Sequence, residues 1–536
     1  MRFFIPLLLL VAAALARNID DEVHHKQNRF KDRDHLHIGA DAPPMMKLAA
    51  DGQLRAVEDS EYWNEKCQQE LKDQLAVTPI VSQAKNVIFF LADGTGVATL
   101  TAARLLKGLR TGMYEQERMA WDLFPYSSLI KTYNTNNQVT DSAASATAYL
   151  NGVKGNQATI GVDANVQRGD CQAMNVPEYR TQSLSKDFQD ENKSAGIVTM
   201  SRVTDASPAG TYGHTADRNW ESDSDINDDG EDTELCDDLA EQLVLNEPGS
   251  KFKVILGGGR QKFLPEGVDD PEEEDQTGRR NDGKNLIDAW LEGSSSMGNA
   301  TYVWHKDDLL SFDAASTNYL LGLFDYKDMS YAIDEDASNP SLEEMTRAAI
   351  AVLQKDSNGY FLFVEGALID KANHDNEASS ALEEAVEFDK AVAAAVEMTD
   401  ESDTLIIVTA DHSQPMTING YPALHSDIRG VAGVSDVDDI PYLALIYTSG
   451  PGYREQTDGV RPDPTEEGYE DPHYVFAAAV PREASTHNGE DVILYARGPH
   501  AHLFTGNHEN AYITHAIRYA ACVGDGLNFC DEKVKV

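Results

Sequence analysis

Short apolar, β-branched runs alternating with longer amphipathic stretches constrain this chain more than any other feature. The clearest runs are NVIFFLA (86–92), SAGIVTM (194–200), KVILGG (253–258), GYFLFVE (359–365), TLIIVTA (404–410) and DVILYA (491–496). Such alternation is the pattern of strands whose sheet is covered by helices. It predicts an α/β fold with a large central, mostly parallel sheet sandwiched by helices. No fixed-period repeat is present, which disfavours a solenoid or propeller.

Open α/β sheets bind ligands at the carboxyl ends of their strands, and several runs lead straight into metal-ligand residue types. NVIFFLA delivers Asp93, GYFLFVE delivers Glu365 with Asp370 and His374 shortly after, and TLIIVTA delivers Asp411 and His412. Any one of these reads as a helix cap or turn residue; their repetition at strand ends points to a metal site. Mixed His/Asp ligation favours Zn²⁺, and an all-oxygen site suits Mg²⁺.

In TDSAASATAYLNG (140–152), Ser142 opens an Ala-rich helix. Taken alone it reads as an N-cap. A serine hydroxyl becomes a nucleophile only when a base or metal lowers its pKa, and the carboxylate and imidazole set offers metals. SRVTDASPAGTYGHTADRNW (201–220) adds Asp205, Ser207 and Arg218. Arg218 reads either as a surface residue or as a guanidinium that grips phosphate through two parallel hydrogen bonds.

Residues 1–16, MRFFIPLLLLVAAALA, have the basic start, apolar run and small-residue exit of a signal peptide, so export and a secreted, extracellular location are expected. The run is too short to span a membrane, and CDEKVKV at the other end lacks the apolar tail of a GPI signal, so no membrane anchor is expected. Residues 17–58 are polar, contain His24, His25, His35 and His37, and read as a mobile leader or propeptide. Residues 59–536 read as one main domain with insertions. Acidic, Gly-containing stretches at 222–237 and 265–283 look like surface insertions, and 414–486 looks like an irregular cap or dimer element. The formal charge of −46 argues against nucleic acid and anionic membranes as partners and requires a locally positive site for any anionic substrate. Five cysteines in an exported chain suit two disulfides and one free thiol, with the pairing open. The sequons at Asn192 and Asn299 are compatible with glycosylation.

The strings NVIFFLADGTG, KTYNTNNQVTDSAASATAYLNGVKGN, ASPAGTYGHTADRNW, FLFVEGALIDKANH, TLIIVTADHS and STHNGEDV closely resemble alkaline phosphatase motifs, in order and across nearly the whole chain after residue 58. THNGED, ARGPHAH and AACVGDGLNFC make it most similar to the animal, arthropod-like secreted enzymes. The resemblance implies metal-dependent hydrolysis of small phosphate monoesters to alcohol and phosphate through a phosphoserine on Ser142, optimal at alkaline pH. It implies two Zn²⁺ and one Mg²⁺ per subunit. Asp370, His374 and His487 would hold one zinc, Asp93, Asp411 and His412 the other, and Asp93, Ser207 and Glu365 the magnesium, with Arg218 on the phosphoryl group. It implies disulfides Cys171–Cys236 and Cys522–Cys530 with Cys67 unpaired, a homodimer, and a crown formed by 414–486. A calcium site of the animal relatives maps, within 265–340, onto Glu272, the Phe324 carbonyl, Asp325 and Asn339.

At Asp205 and Lys371 the chain resembles bacterial rather than vertebrate members, which carry His at both places. A carboxylate and an ammonium there predict slower product release or a lower pH optimum. Two other readings compete. A sulfatase needs a C/S-x-P-x-R string, and TDSAASA has neither that Pro nor that Arg; diesterases differ around the nucleophile. An exported metal-storage protein would show a broken ligand or nucleophile, and none of the matched positions is broken.

Overall fold

The computed structural model describes residues 58–334, 338–526 and 530. The expected signal peptide, 1–16, and nearly all of the expected 17–58 leader lie outside them. The described residues up to Val77 and those from Thr78 onward fall into two compact units. In the first, Asp59 accepts hydrogen bonds from the Glu61 and Tyr62 backbone amides and so caps a helix over Ser60–Ala76, which carries the exposed Cys67.

The second unit is built on ten strands: β1 (Asn86–Leu91), β2 (Tyr126–Lys131), β3 (Ser194–Arg202), β4 (Val254–Gly258), β5 (Ala300–Val303), β6 (Tyr319–Leu323), β7 (Tyr360–Glu365), β8 (Thr404–Thr409), β14 (Val492–Arg497) and β15 (Gly506–Glu509). Their order across the sheet is β15-β2-β14-β8-β1-β7-β3-β4-β6-β5. β14 runs antiparallel to β2 and β8, and every other pair is parallel. All residues of β1, β7 and β8 are buried, because helices cover both faces. Alternation along β1 sends Ile88 and Phe90 to one face, against Met345, Leu382 and Phe388. Val87, Phe89 and Leu91 face the other way, toward Tyr149, Phe188 and Ile517.

Segment 414–486 is less irregular than its composition suggests. It holds β9 (Met416–Ile418), β10 (Val431–Val434), β11 (Pro441–Leu443), β12 (Leu445–Gly450) and β13 (Ala478–Pro481), paired as a two-stranded and a three-stranded sheet. The stretch read as a calcium-binding insertion contains β5 and β6, the edge of the main sheet. The acidic stretches read as surface insertions are tied inward by buried arginines. Arg280, with no exposed surface, pairs with Asp238 at 2.8 Å and Asp282 at 2.7 Å. Arg260, equally buried, pairs with Asp270 at 2.7 Å. Cys171 is bonded to Cys236 and Cys522 to Cys530. Asn192 and Asn299 are exposed.

Candidate active site

The sheet order explains why residues far apart in sequence meet. β8, β1, β7 and β3 are neighbours, and their carboxyl ends release Asp411 and His412, Asp93, Glu365, and the Asp205–Ser207 turn side by side. Asp370 and His374 share one face of the helix Leu368–His374 that follows β7. His487 arrives on the loop before β14. Gly94 lets β1 leave the sheet at φ 65°; a side chain there would overlap the Asp370 carboxylate.

Ser142 is the first residue of the helix Ser142–Asn151, and the N-cap expected of it is taken by Asp141, which accepts from the Ala144 amide. The serine is thereby freed from capping. Its Oγ lies 3.3 Å from His412 Nε2, and it is only 3% exposed. Arg218 reaches Asp141 and Asp205, each at 3.3 Å. Lys371 Nζ lies 2.9 Å from Asp205.

The donor set fits metal ions. His374 Nδ1 lies 2.6 Å from the Ser485 carbonyl and His487 Nδ1 lies 2.9 Å from the Thr140 carbonyl. Carbonyls only accept, so both protons sit on Nδ1 and both Nε2 atoms present lone pairs. Those Nε2 atoms are 3.0 Å apart, and Asp370 lies 3.1 Å from His374 Nε2. A shared cation would relieve that crowding. Asp370, His374 and His487 form one group able to hold an ion, and Asp93, Asp370 and His412 another. His412 Nε2 is 3.1 Å from Asp411 and 3.6 Å from Asp93, whose buried Oδ1 has no hydrogen-bond partner.

Charge crowding makes the same point. Burial, then Asp411, Asp370 and Glu365, push the Asp93 carboxyl well above the usual range. Burial pushes Glu365 up to about 7 although Thr199 donates to it. Against the opposing effect of burial, His374 and His487 hold Asp370 well below the carboxylate range, and Lys371, Arg202 and Arg218 do the same for Asp205. Ser207 Oγ is 3.5 Å from Asp93, near enough for both to face one hard cation.

The calcium residues are differently placed. Glu272 pairs with Arg260 at 3.0 Å, and Asp325 accepts from Asn339 Nδ2 at 3.2 Å. Phe324 is fully buried at the end of β6. Both carboxylates already have donors, which a calcium ion would displace.

Several neighbours of the site were not visible as site residues in the sequence. Asp141 holds Arg218. Gln414 Nε2 donates to Asp370 at 2.6 Å. Ser201 joins Thr199 on Glu365, and Arg202 and Asp328 lie behind Asp205. Their residue types are ordinary strand-end polar groups, and only the fold brings them to the ligands.

A family model described as alkaline phosphatase matches residues 84–523. The chain belongs to the alkaline phosphatase family. It is therefore an enzyme that hydrolyses phosphate monoesters, and metal dependence and a phosphoserine intermediate are features of that family. It is 44% identical over 484 residues to the tissue-nonspecific isozyme of Gallus gallus, covering 89% of this chain and 92% of that one. It is 41% identical over 483 residues to the membrane-bound alkaline phosphatase of Bombyx mori, covering 89% and 88%. The fold is shared with Thermus thermophilus alkaline phosphatase, at a TM-score of 0.58 and 22% identity over 82% of this chain and 92% of that one. The sulfatase and storage readings are thereby set aside. Among the described residues, no helix is long and apolar enough to cross a membrane.

Proposed function

We propose that Ser142 is the nucleophile of this phosphomonoesterase and that Arg218 grips the phosphoryl group it receives. The observation that carries the reading is the freed Ser142 hydroxyl, 3.3 Å from His412 Nε2 in a buried pocket of metal-ligand groups. Asp370, His374 and His487 would hold one zinc, Asp93, Asp411 and His412 a second, and Asp93, Ser207 and Glu365 a magnesium. Bound there, the ions would supply the positive charge that lowers the serine pKa and offsets negative charge on the leaving oxygen.

Ser142 Oγ forms a bond to phosphorus as the bond from phosphorus to the alcohol oxygen breaks, which leaves a phosphoserine. Water then attacks the same phosphorus, phosphate departs, and the Ser142 hydroxyl is restored. In both transfers charge spreads over the equatorial phosphoryl oxygens, where the Arg218 fork stabilises it. Asp141 and Asp205 aim that fork. Lys371 and Asp205 tune release of phosphate. An alkaline optimum belongs to the same reading.

An exported, glycosylated homodimer with 414–486 as its crown completes the proposal. Calcium at Glu272, Phe324, Asp325 and Asn339 belongs to it on the condition that Arg260 releases Glu272; a rise in Tm on adding calcium alone to the metal-free protein tests that condition. Chelation tests the metal reading. Turnover of p-nitrophenyl phosphate should vanish on dialysis against chelator and return with zinc and magnesium, and anomalous scattering at the zinc edge should peak at both His-containing clusters. Full turnover after complete metal removal contradicts it.

A further inference from the structure

Arg218 is not anchored alone. It touches Asp141 and Asp205 through single contacts of 3.3 Å. Asp205 also receives Lys371 at 2.9 Å and Arg202 at 3.2 Å. Behind them stands Asp328, which accepts from the Arg202 guanidinium at 2.7 Å, from the Arg202 backbone amide at 3.1 Å, and pairs with Lys371 at 3.1 Å. Arg202 Nε is held by Glu221 at 2.8 Å, and Thr204 donates to Glu221 at 2.6 Å. Three cations, Arg202, Arg218 and Lys371, thus share Asp205, Asp328 and Glu221. Arg218 and Lys371 keep 26% and 28% of their side-chain surface open, against 18% for Arg202.

We propose that Asp328 and Arg202 are positioning residues that set, from behind Asp205, how much positive charge Arg218 and Lys371 retain for phosphate. The inference rests on the reading of Arg218 as the phosphoryl-binding residue. Each carboxylate in the lattice competes with phosphate for the same cations. Neutralising Asp328 leaves Lys371 and Arg202 to lean on Asp205, whose hold on Arg218 weakens. Both open cations then favour an incoming anion. Neutralising Arg202 acts in the opposite sense, because Asp205 and Asp328 fall back on Lys371 and Arg218. The two changes therefore move phosphate affinity in opposite directions, whereas simple damage to the fold would weaken binding in both.

The test uses the full-length, metal-loaded enzyme with inorganic phosphate as competitor of p-nitrophenyl phosphate, and calorimetric phosphate binding as a readout independent of turnover. Asp328→Asn still accepts from the Arg202 backbone amide. It should lower the phosphate Ki roughly three- to tenfold, the scale of one charge removed several Å away in a half-buried site, and lower kcat as release slows. Arg202→Gln should raise Ki by a similar factor, with Arg202→Lys, which keeps the charge but not the fork that reaches Glu221, Asp205 and Asp328, recovering part of that shift. Should Arg202→Gln not fold, Glu221→Gln, which frees Arg202 toward Asp205 and Asp328, should shift Ki in the same direction as Asp328→Asn. Shifts of one sign in Asp328→Asn and Arg202→Gln, no shift in either, a Glu221→Gln shift opposite to Asp328→Asn, or no rescue by Arg202→Lys overturns the inference. If phosphate competes in the wild type and Arg218→Ala abolishes that competition, such a result refutes the lattice alone. If Arg218→Ala leaves competition intact, the phosphoryl-binding reading has failed first.

Discussion

Replacing Arg218 by alanine separates a catalytic role from a structural one, because the structure shows what each partner does once the guanidinium is gone. Deleting a buried cation ordinarily strands its carboxylates at a cost of several kcal/mol. Here Asp205 keeps Lys371 and Arg202 at 2.9 and 3.2 Å, and Asp141 keeps the Ala144 and Ala158 amides at 3.2 and 3.1 Å. The fold should therefore survive, while the phosphoryl group loses a two-pronged donor. Hydrogen bonds to charged groups contribute about 1.5–3 kcal/mol each. Two of them lost in the transition state amount to roughly 3–6 kcal/mol, or a fall in kcat/KM of about 10²–10⁴-fold. Asp141 and Asp205, no longer screened by the guanidinium, add repulsion toward phosphate. Steady-state kinetics with p-nitrophenyl phosphate, a phosphate Ki and a thermal melt form the assay. Arg218→Lys should recover part of the loss, since an ammonium supplies charge without the fork. A kcat/KM within about threefold of wild type, or a loss matched by a collapse in Tm, would refute the reasoning; the predicted loss is far above such scatter.

Two further predictions concern stability. Arg280→Met strands Asp238, itself 2% exposed, beside Asp282, and should destabilise by about 3–5 kcal/mol; limited proteolysis should then cut first within 265–285, and unchanged protection of that stretch argues against the buried-arginine staple. Glu384 is buried, and that burial pushes its carboxyl from 4.5 up to about 8 in the folded state. A raised carboxyl contributes most below its unfolded value and loses that contribution as pH climbs through the folded one, so stability should decline between about pH 4.5 and 8. Glu384→Gln, whose amide oxygen can still accept from the Ala332 amide, should flatten that decline and raise Tm at pH 9. An identical pH slope in the variant contradicts the assignment.

The sheet centre was legible in the sequence because strands buried on both faces must be apolar along their length, as NVIFFL and YFLFVE are. The outer strands were not. Tyr126–Lys131, one strand in from the edge, alternates with Ser127, Leu129 and Lys131 exposed, and the edge strand Gly506–Glu509 is polar throughout, since strands open to solvent carry no such demand. The stretch 265–283 is largely exposed, as its acidic composition suggests, but that composition gave no sign that Asp270, Glu272 and Asp282 are the partners of buried Arg260 and Arg280. The ligand types at strand ends were legible because the chemistry restricts them to Asp, Glu and His. Asp141, Gln414, Thr199, Asp328 and Arg202 were not, because hydrogen-bonding to a ligand places no comparable restriction on residue type. Asp141 shows the limit most clearly: the TDS triplet consists of three residues able to cap, and only the backbone decides that the aspartate caps and the serine is released.

The central claim is that this released serine takes the phosphoryl group. Rapid acid quenching of the metal-loaded enzyme during turnover, followed by peptide mass spectrometry, tests it directly. The account predicts one phosphoryl group on the Ser142 peptide, absent in Ser142→Ala along with nearly all activity. A phosphoryl group on another residue, or a Ser142→Ala enzyme that retains wild-type turnover, contradicts it.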